Sequence, residues 1–323
     1  MWSATHEQIS AVLKVERLDV DLFRSKSLWL PILAQGAFGG QIIGQTVMAA
    51  TDSVNLNFRL HCYFLSSASA SVPIVYSVRR LRDGNSYITR TVQATQSGRT
   101  ICVMMCSFHR TEPWQPTGVK WNMPLVPPPE QRQLEEDRYK ALLKHNGVPP
   151  KERHRSPIAI KVAVEDDLRS GRMPQFMYWM QVRNIPASKP SFQKCILSYL
   201  GFLCLLSALG FERFSSGPNG ESMTMRQSTR QLKLFDYFRS DTFNCGNWPL
   251  YVIASPCAVS GRAIVCGRMY SQNGTLDIAM VTQEGVVRAD RRGPEIKLTT
   301  AGGSGYYGRR QKRHSKEAGR KRL

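Results

Sequence analysis

Short apolar runs rich in β-branched and aromatic residues, bounded by turn residues, recur along this chain and predict β-strands. Four lie in the first third and six in the second half. They cover residues 59–65, 74–82, 87–96, 100–109, 158–164, 175–183, 230–238, 250–254, 263–270 and 276–283. Asn273-Gly274 lies between the last two runs, and Asn-Gly is a strong signal for a tight hairpin turn. The pattern therefore predicts antiparallel sheets in both parts of the chain.

Two longer stretches have the composition of buried helices. Residues 38–51 begin with Gly39-Gly40 and continue with small and aliphatic residues, which allow another backbone to approach closely. Residues 195–211 are apolar throughout, but the run is shorter than the roughly 20 residues of a membrane-spanning helix. A short helix is also expected at residues 7–15. Gly39-Gly40 lacks the G-x-G-x-x-G and Walker spacings, so we expect no phosphate cradle there.

The order of the elements, a helix followed by antiparallel strands, occurs twice and predicts two similar domains. We place the first domain at residues 1–115 and the second at residues 158–292. Between them, residues 116–157 are rich in proline, which disfavours sheet and packed helix and predicts a connector. Residues 293–323 form a basic, Gly/Ser-containing tail that we expect to be disordered. The two halves match in the order of elements and not in residues.

The formal net charge of +20 raises the question of a nucleic-acid partner. Residues 309–322 carry eight Lys/Arg and one Glu, and the rest of the excess is spread over the chain. No zinc-finger spacing or RNP-type aromatic motif is present. A nucleic-acid partner is therefore not expected, although the basic tail suits nuclear import or RNA contact. A dispersed basic surface also suits an anionic small molecule such as a nucleotide-bearing thioester.

The cysteines and histidines restrict the chemistry. The eight cysteines include no C-x-x-C pair and lie mostly in apolar runs, which indicates reduced core cysteines of an intracellular protein. No histidine lies between positions 155 and 313. A histidine-based triad or metal site in the second half is excluded, and we expect no cofactor or metal.

Several segments, taken together and in order, resemble the type II acyl-CoA thioesterase family. The matching segments are residues 19–24 (DVDLFR), 38–45 (FGGQIIGQ), 60–65 (LHCYFL), 82–86 (RDGNS), 127–130 (PPPE), 255–256 (SP) with 261–262 (GR), 267–268 (GR) and 283–288 (QEGVVR). No single segment is decisive, but the collinear set is specific. The resemblance implies an α+β double hotdog fold, in which two antiparallel sheets are arranged in tandem and each wraps around a central helix.

The resemblance also implies an activity: hydrolysis of acyl-CoA thioesters to fatty acid and free CoA, often in peroxisomes. In this family a water molecule attacks the thioester carbonyl. Three groups of the second domain hold that water, namely an Asp on the central helix, a Ser or Thr on a strand and a Gln after a late strand. A carboxylate can take a proton from the water while amide and hydroxyl groups orient it.

Of the family's three site positions, this sequence matches the family residue type clearly at only one. Gln283 matches the family glutamine, although a strand-end glutamine satisfied by the backbone is the alternative interpretation. The helix aligns so that the family aspartate falls on Phe202, which has no catalytic function of its own. The third position falls near Asp236, with Ser240 and Thr242 as further hydroxyl candidates. Asp236 is either an exposed strand carboxylate or a substitute base opposite Gln283.

Two hypotheses from different classes follow. The first is an acyl-CoA thioesterase with weakened catalysis, since loss of a general base typically costs about 10²–10⁴-fold in rate. The second is a catalytically silent hotdog protein that binds acyl-CoA or serves as an assembly subunit. A diverged or misassembled gene product is a third alternative.

The expected partner of the chain is an acyl-CoA substrate, and a homo-oligomer is left open. The N-terminus lacks a secretory pattern, so we expect an intracellular protein without a membrane span. The family suggests the peroxisome, with the cytoplasm as the alternative. Lys321-Arg322-Leu323 is only a poor version of the peroxisomal tripeptide.

Overall fold

The computed structural model describes residues 8–30, 36–52, 54, 57–110, 121–137, 156–165, 175–185, 190–203, 228–238, 243–260, 262–274 and 277–286. Its twelve strands are all antiparallel to their neighbours. The strands are β1 (Val15–Asp19), β2 (Leu22–Ser25), β3 (Asn57–Phe64), β4 (Val75–Asp83), β5 (Tyr87–Gln96), β6 (Arg99–His109), β7 (Ile158–Glu165), β8 (Gln175–Val182), β9 (Ser228–Phe238), β10 (Leu250–Val259), β11 (Arg262–Tyr270) and β12 (Asp277–Val286).

The strands form two halves that join edge to edge. The order across the sheet is β1-β2-β4-β5-β6-β3 for the first half and β9-β12-β11-β10-β8-β7 for the second. The joint is the β3–β9 pair, in which Leu60 lies opposite Asp236. Both halves belong to one unit, Met1–Asp290.

Three α-helices accompany the sheet in the described ranges: α1 (Ile9–Val12), α2 (Gly39–Thr51) and α3 (Pro190–Leu203). Helix α2 packs on strands of the first half and on α3. Gly40 permits this contact, because a Cβ there would lie 2.9 Å from the backbone carbonyl oxygen of Tyr199 in α3. One helix per half-sheet is the double hotdog that the resemblance implies, and the predicted fold is confirmed.

Buried and exposed side chains alternate along the strands, and the buried ones form the core. In β6, Cys102, Met104, Cys106 and Phe108 are buried, while the exposed Met105 lies between them on the opposite face. Period-two burial of this kind places one face of a strand against the helices and the other toward solvent. This is the reason that β3 to β6, β11 and β12 could be predicted with errors of at most three residues at their ends, whereas β10 was predicted only over its first half.

Two predictions at the helices need correction. The helix expected at residues 7–15 is only the single turn Ile9–Val12, and Val15 already begins β1. The β1–β2 hairpin was not predicted because most of β1 is exposed and its apolar pattern is weak. The helix expected at residues 195–211 begins earlier, at Pro190, and is described to Leu203. Residues 204–211 lie outside the described residues.

The described part of the proline-rich connector packs on the second half of the sheet. The indole Nε1 of Trp179 donates a hydrogen bond to the carbonyl of Pro127 at 2.9 Å. Lys161 Nζ donates to the carbonyl of Pro129 at 2.7 Å, and Leu134 bridges to Lys161 through the backbone. The segment has little regular structure, as its prolines predict, but it is held by specific hydrogen bonds.

Candidate active site

Gln283 lies in the second half of β12, opposite Val265 of β11 and Leu234 of β9. Only 1% of the residue is exposed, and its Nε2 donates a hydrogen bond to the carbonyl oxygen of Gly201 in α3 at 3.1 Å. Its Oε1 is buried and has no hydrogen-bond partner among the described residues. A buried acceptor without a donor costs roughly 1–3 kcal/mol. Among the described residues, the Gln283 amide is therefore hydrogen-bonded at its Nε2 and not at its Oε1.

The carbonyl of Gly201 accepts a second hydrogen bond, from the hydroxyl of Tyr251 in β10 at 2.9 Å. The Tyr251 ring lies where a Cβ on Gly267 would be, so the glycine in β11 is required for this arrangement. A Cβ on Gly201 would lie 3.1 Å from Val281 Cγ2, which shows that α3 approaches β12 closely. Tyr251 and Gln283 together fix the position of α3 on the sheet.

Phe202 follows Gly201 in α3 and is buried, with 7% of the residue exposed. Its ring packs edge-on against Phe38, with centroids 5.5 Å apart, and lies 5.9 Å from the ring of Phe64. A Cβ on Gly39 would lie 2.6 Å from Phe202 Cζ. The residue at the expected aspartate position is thus part of an apolar aromatic contact between α3 and the start of α2.

The structure brings Gln283 and position 202 together, since Gln283 binds the backbone of the residue next to Phe202. The polar groups that meet there are the Gln283 amide, the Tyr251 hydroxyl and the Gly201 carbonyl. Gln283 and Phe202 are not among the described residues that line two large cavities, one beside Trp179 and Met123 and one beside Ser67 and Arg99. The aromatic ring closes the space where the helix carboxylate was expected.

Asp236 lies in β9, where its Cα is opposite Val281 of β12 and Leu60 of β3. The residue opposite Gln283 is Leu234, so the expected pairing of Asp236 with Gln283 is wrong by two positions. The function of Asp236 as a base stays a prediction. Ser240 and Thr242 lie outside the described residues.

Tyr251 was not predicted from the sequence. A signal for it exists in Gly267, because a glycine inside an apolar strand indicates a close approach by another group. That group is the Tyr251 ring. Its hydrogen-bond acceptor, the carbonyl of Gly201, is a backbone group and so cannot be predicted from the type of residue.

Buried thiols lie in the same core but are poor nucleophiles. Burial raises the pKa of Cys195 to about 12, and it raises the pKa of Cys106 still further. A thiol that stays protonated at neutral pH is unreactive. Across the described ranges, no group of three or more His, Cys, Asp or Glu residues could hold a metal ion.

The described helices include none that is long and apolar enough to cross a membrane.

Comparison with known proteins identifies the class of this fold and site. Residues 27–109 match the family model of the acyl-CoA thioesterase N-terminal domain, and residues 151–286 match that of acyl-CoA thioesterase. The solved structure of the acyl-CoA thioesterase II TesB2 from Mycobacterium marinum is 26% identical, with a TM-score of 0.68, and the match covers 88% of this chain and 99% of that one.

Curated relatives agree with this class. Acyl-coenzyme A thioesterase 8 from Rattus norvegicus is 31% identical over 304 residues, which is 90% of this chain and 92% of the relative. Peroxisomal acyl-coenzyme A thioester hydrolase 1 from Saccharomyces cerevisiae is 35% identical over 81 residues, which is 24% of this chain and 23% of the relative. The chain belongs to the acyl-CoA thioesterase family.

Proposed function

We propose that this protein hydrolyses acyl-CoA to free fatty acid and CoA at a low rate, by attack of a water molecule on the thioester carbonyl. Membership of the acyl-CoA thioesterase family supports the reaction class. The observation that carries the assignment to a site is the buried Oε1 of Gln283, which has no donor among the described residues. A water molecule that donates to this oxygen satisfies the acceptor and is oriented by it.

The reaction adds the water oxygen to the carbonyl carbon and breaks the carbon–sulfur bond, and the CoA thiolate leaves. The proton lost by the water neutralises that thiolate, directly or through a base. The Nε2 of Gln283 donates to the Gly201 carbonyl, which fixes the amide orientation. Its Oε1 is then left to accept a hydrogen bond from the water. Asp236 is the carboxylate we assign as substitute base. Its support is the register, which places it opposite Val281, two positions from Gln283 on β12.

The low rate follows from position 202. A carboxylate there would accept the proton of the water, whereas the buried phenylalanine can neither accept a proton nor bind water. General-base catalysis is typically worth about 10²–10⁴-fold in rate. We therefore expect turnover well below that of a family member with the helix aspartate, with binding of acyl-CoA retained.

A second candidate is a protein that binds acyl-CoA without turnover, alone or as a subunit in an assembly. The tight packing of Phe202 against Phe38 and Gly39 favours it, because position 202 then carries a buried apolar ring and no carboxylate. The two candidates share a ligand and differ only in cleavage.

Release of free CoA thiol from short, medium and long acyl-CoA, measured together with equilibrium binding, separates the two. We expect slow release that falls at least about tenfold in Gln283→Met, because the water loses its acceptor. Binding with no release above the uncatalysed rate would reject hydrolysis and leave the binding protein. Release unchanged in Gln283→Met would reject the site assignment.

We further propose a function in lipid metabolism in the peroxisome, supported by the name of the yeast relative. The cytoplasm is the alternative compartment. Imaging of the full chain with a fluorescent tag on its N-terminus, beside a peroxisomal marker, tests this. A diffuse signal would reject the peroxisome.

A further inference from the structure

A cavity of about 680 Å³ lies at one end of the first half-sheet, outside the site described above. Its polar lining consists mainly of hydroxyl groups and one guanidinium. We call it the serine cavity, and its relevant residues are Ser66, Ser67, Ser69, Ser71, Ser97 and Arg99. None of the described residues that line it carries a carboxylate.

The loop that forms one wall is held in place. The buried Gln96 accepts a hydrogen bond from the backbone N–H of Ser69 at 2.7 Å and donates to the carbonyls of Ser69 and Val72. The hydroxyls of Ser69 and Ser71 are bonded to each other at 2.8 Å. These hydrogen bonds therefore fix the conformation of the loop between β3 and β4, which forms this wall of the cavity.

Arg99 supplies the charge. It begins β6 after the tight turn Ser97-Gly98, in which both residues have positive φ, at 49° and 74°. This is the backbone form of a two-residue hairpin turn. The guanidinium has no hydrogen bond or ion pair with any other residue in the described part of the chain. An arginine beside several hydroxyls, with no acidic neighbour in the lining, favours an anion with several oxygen atoms.

The serine cavity adjoins the segment that leads to Phe202. Gly36 lines it, and the backbone N–H of Ala37 donates to the carbonyl of Ala68 at 2.8 Å. Three residues after Gly36, Gly39 lies against the ring of Phe202. At most roughly 11 Å of chain separates the two positions. The cavity wall at Gly36 is therefore close along the chain to the contact between Gly39 and Phe202.

We propose that the serine cavity binds the phosphate groups of CoA, with Arg99 as the cation and Ser66 and Ser67 as hydroxyl donors. The proposal rests on acyl-CoA being the ligand of this protein, and it deepens the proposed function by separating two subsites. The phosphate end of CoA lies in the first half of the molecule, and its extended pantetheine arm carries the thioester toward Gln283.

Calorimetric titration of the full chain with CoA, adenosine 3′,5′-bisphosphate and inorganic phosphate tests the proposal. We expect Arg99→Gln to weaken binding of CoA and of the bisphosphate by about tenfold, because a charge-assisted hydrogen bond is lost. The matched control is Arg110→Gln, an exposed arginine just beyond the other end of β6, which removes the same charge and should leave both affinities unchanged. Saturation by inorganic phosphate alone, at the affinity of CoA, would reject a CoA subsite in favour of a free-phosphate site.

A second variant, Ser67→Asp, places a carboxylate in the serine cavity at an exposed position that does not threaten folding. It should raise the KM for acyl-CoA and leave that for acyl-pantetheine, which lacks the phosphates, unchanged. If Arg99→Gln and Ser67→Asp both bind CoA as the native chain does, the cavity proposal is wrong although hydrolysis stands. A different result would reject hydrolysis alone. In that case the native chain binds CoA and cleaves no thioester, and both variants lose CoA binding, so the cavity proposal is supported.

Discussion

At the scale of single residues, the side-chain amide of Gln283 carries a local energetic cost. One side of its amide is bonded to the Gly201 carbonyl, and the other is buried without a donor among the described residues. A residue placed only for stability would have both sides satisfied. The unsatisfied oxygen is thus the observation that favours a binding function for Gln283 in our proposal.

The stability of Gln283→Met tests this distinction. Methionine has a similar shape and removes both the hydrogen bond and the orphaned oxygen, so the two effects offset each other. We expect the free energy of unfolding, from urea titration, to change by less than about 1 kcal/mol.

Gln41 is the matched control, because it is equally buried but fully bonded. It accepts from the N–H of Trp29 and donates to the carbonyls of Val12 and Ser27. Gln41→Met leaves the N–H of Trp29 without its acceptor, while the carbonyls of Val12 and Ser27 keep Gln45 as a donor. We expect it to destabilise the protein by about 1–3 kcal/mol. Equal losses in both variants would show that Gln283 is an ordinary structural residue.

At the scale of elements, the start of α2 packs against α3 at Phe202. Gly39 has no side chain, and the ring of Phe202 fills the space that a Cβ would take. We expect Gly39→Ala to destabilise the protein by about 1–3 kcal/mol through overpacking.

The same change in a Phe202→Ala background should cost little or be stabilising, since alanine also favours helix over glycine. Thermal unfolding of the four members of this double-mutant cycle measures the coupling. Additive effects of the two substitutions would mean that Phe202 does not lie against Gly39.

The strands also differ in how accurately the sequence predicted them. Strands such as β5 and β6 were predicted almost to their ends, because alternating burial is a local signal and Ser97-Gly98 marks their turn. The β1–β2 hairpin was missed because exposed strands carry little hydrophobic pattern. At the site, Gln283 and position 202 could be inferred from the resemblance. The Gly201 carbonyl could not, because backbone groups are invisible in residue types.

At the scale of the whole molecule, the joint between the two half-sheets is the main feature that the sequence does not reveal. The β3–β9 pair joins residues that are far apart in the chain, and strand edges carry no pattern that names their partner. The repeated order of elements predicts two similar halves, but not the edge through which they join.

Stability at alkaline pH is a property of the whole core. Burial raises the pKa of Cys195 to about 12 and raises the pKa values of Cys106, Cys245 and Tyr76 further above their ordinary values. Thiols of the unfolded chain ionise near pH 8.5, whereas these thiols stay protonated in the folded state. Their stabilisation is thus complete below about pH 8.5 and is lost as the pH rises toward the folded pKa values.

We therefore expect the free energy of unfolding to fall between pH 8 and pH 10, by at most about 1.4 kcal/mol per pH unit for each buried thiol. Urea titrations at both pH values under reducing conditions measure this, and Cys245→Ala should show a smaller decrease than the native chain. A stability that is constant over this range would contradict the burial of these thiols.

We propose that this member of the acyl-CoA thioesterase family has Phe202 at the position of the helix carboxylate, beside Gln283. Phe202→Asp supplies the carboxylate, and Phe202→Asn supplies a side chain of the same shape that cannot act as a base. Both remove the aromatic packing, so both must first be shown to be folded by circular dichroism.

The most direct measurement is the rate of CoA release from acyl-CoA by the native chain and these two variants across pH. We expect Phe202→Asp to exceed the native chain and Phe202→Asn by at least about tenfold, with a rate that rises with pH as the buried carboxylate ionises. Equal rates in the Asp and Asn variants, or no gain over the native chain, would contradict the account.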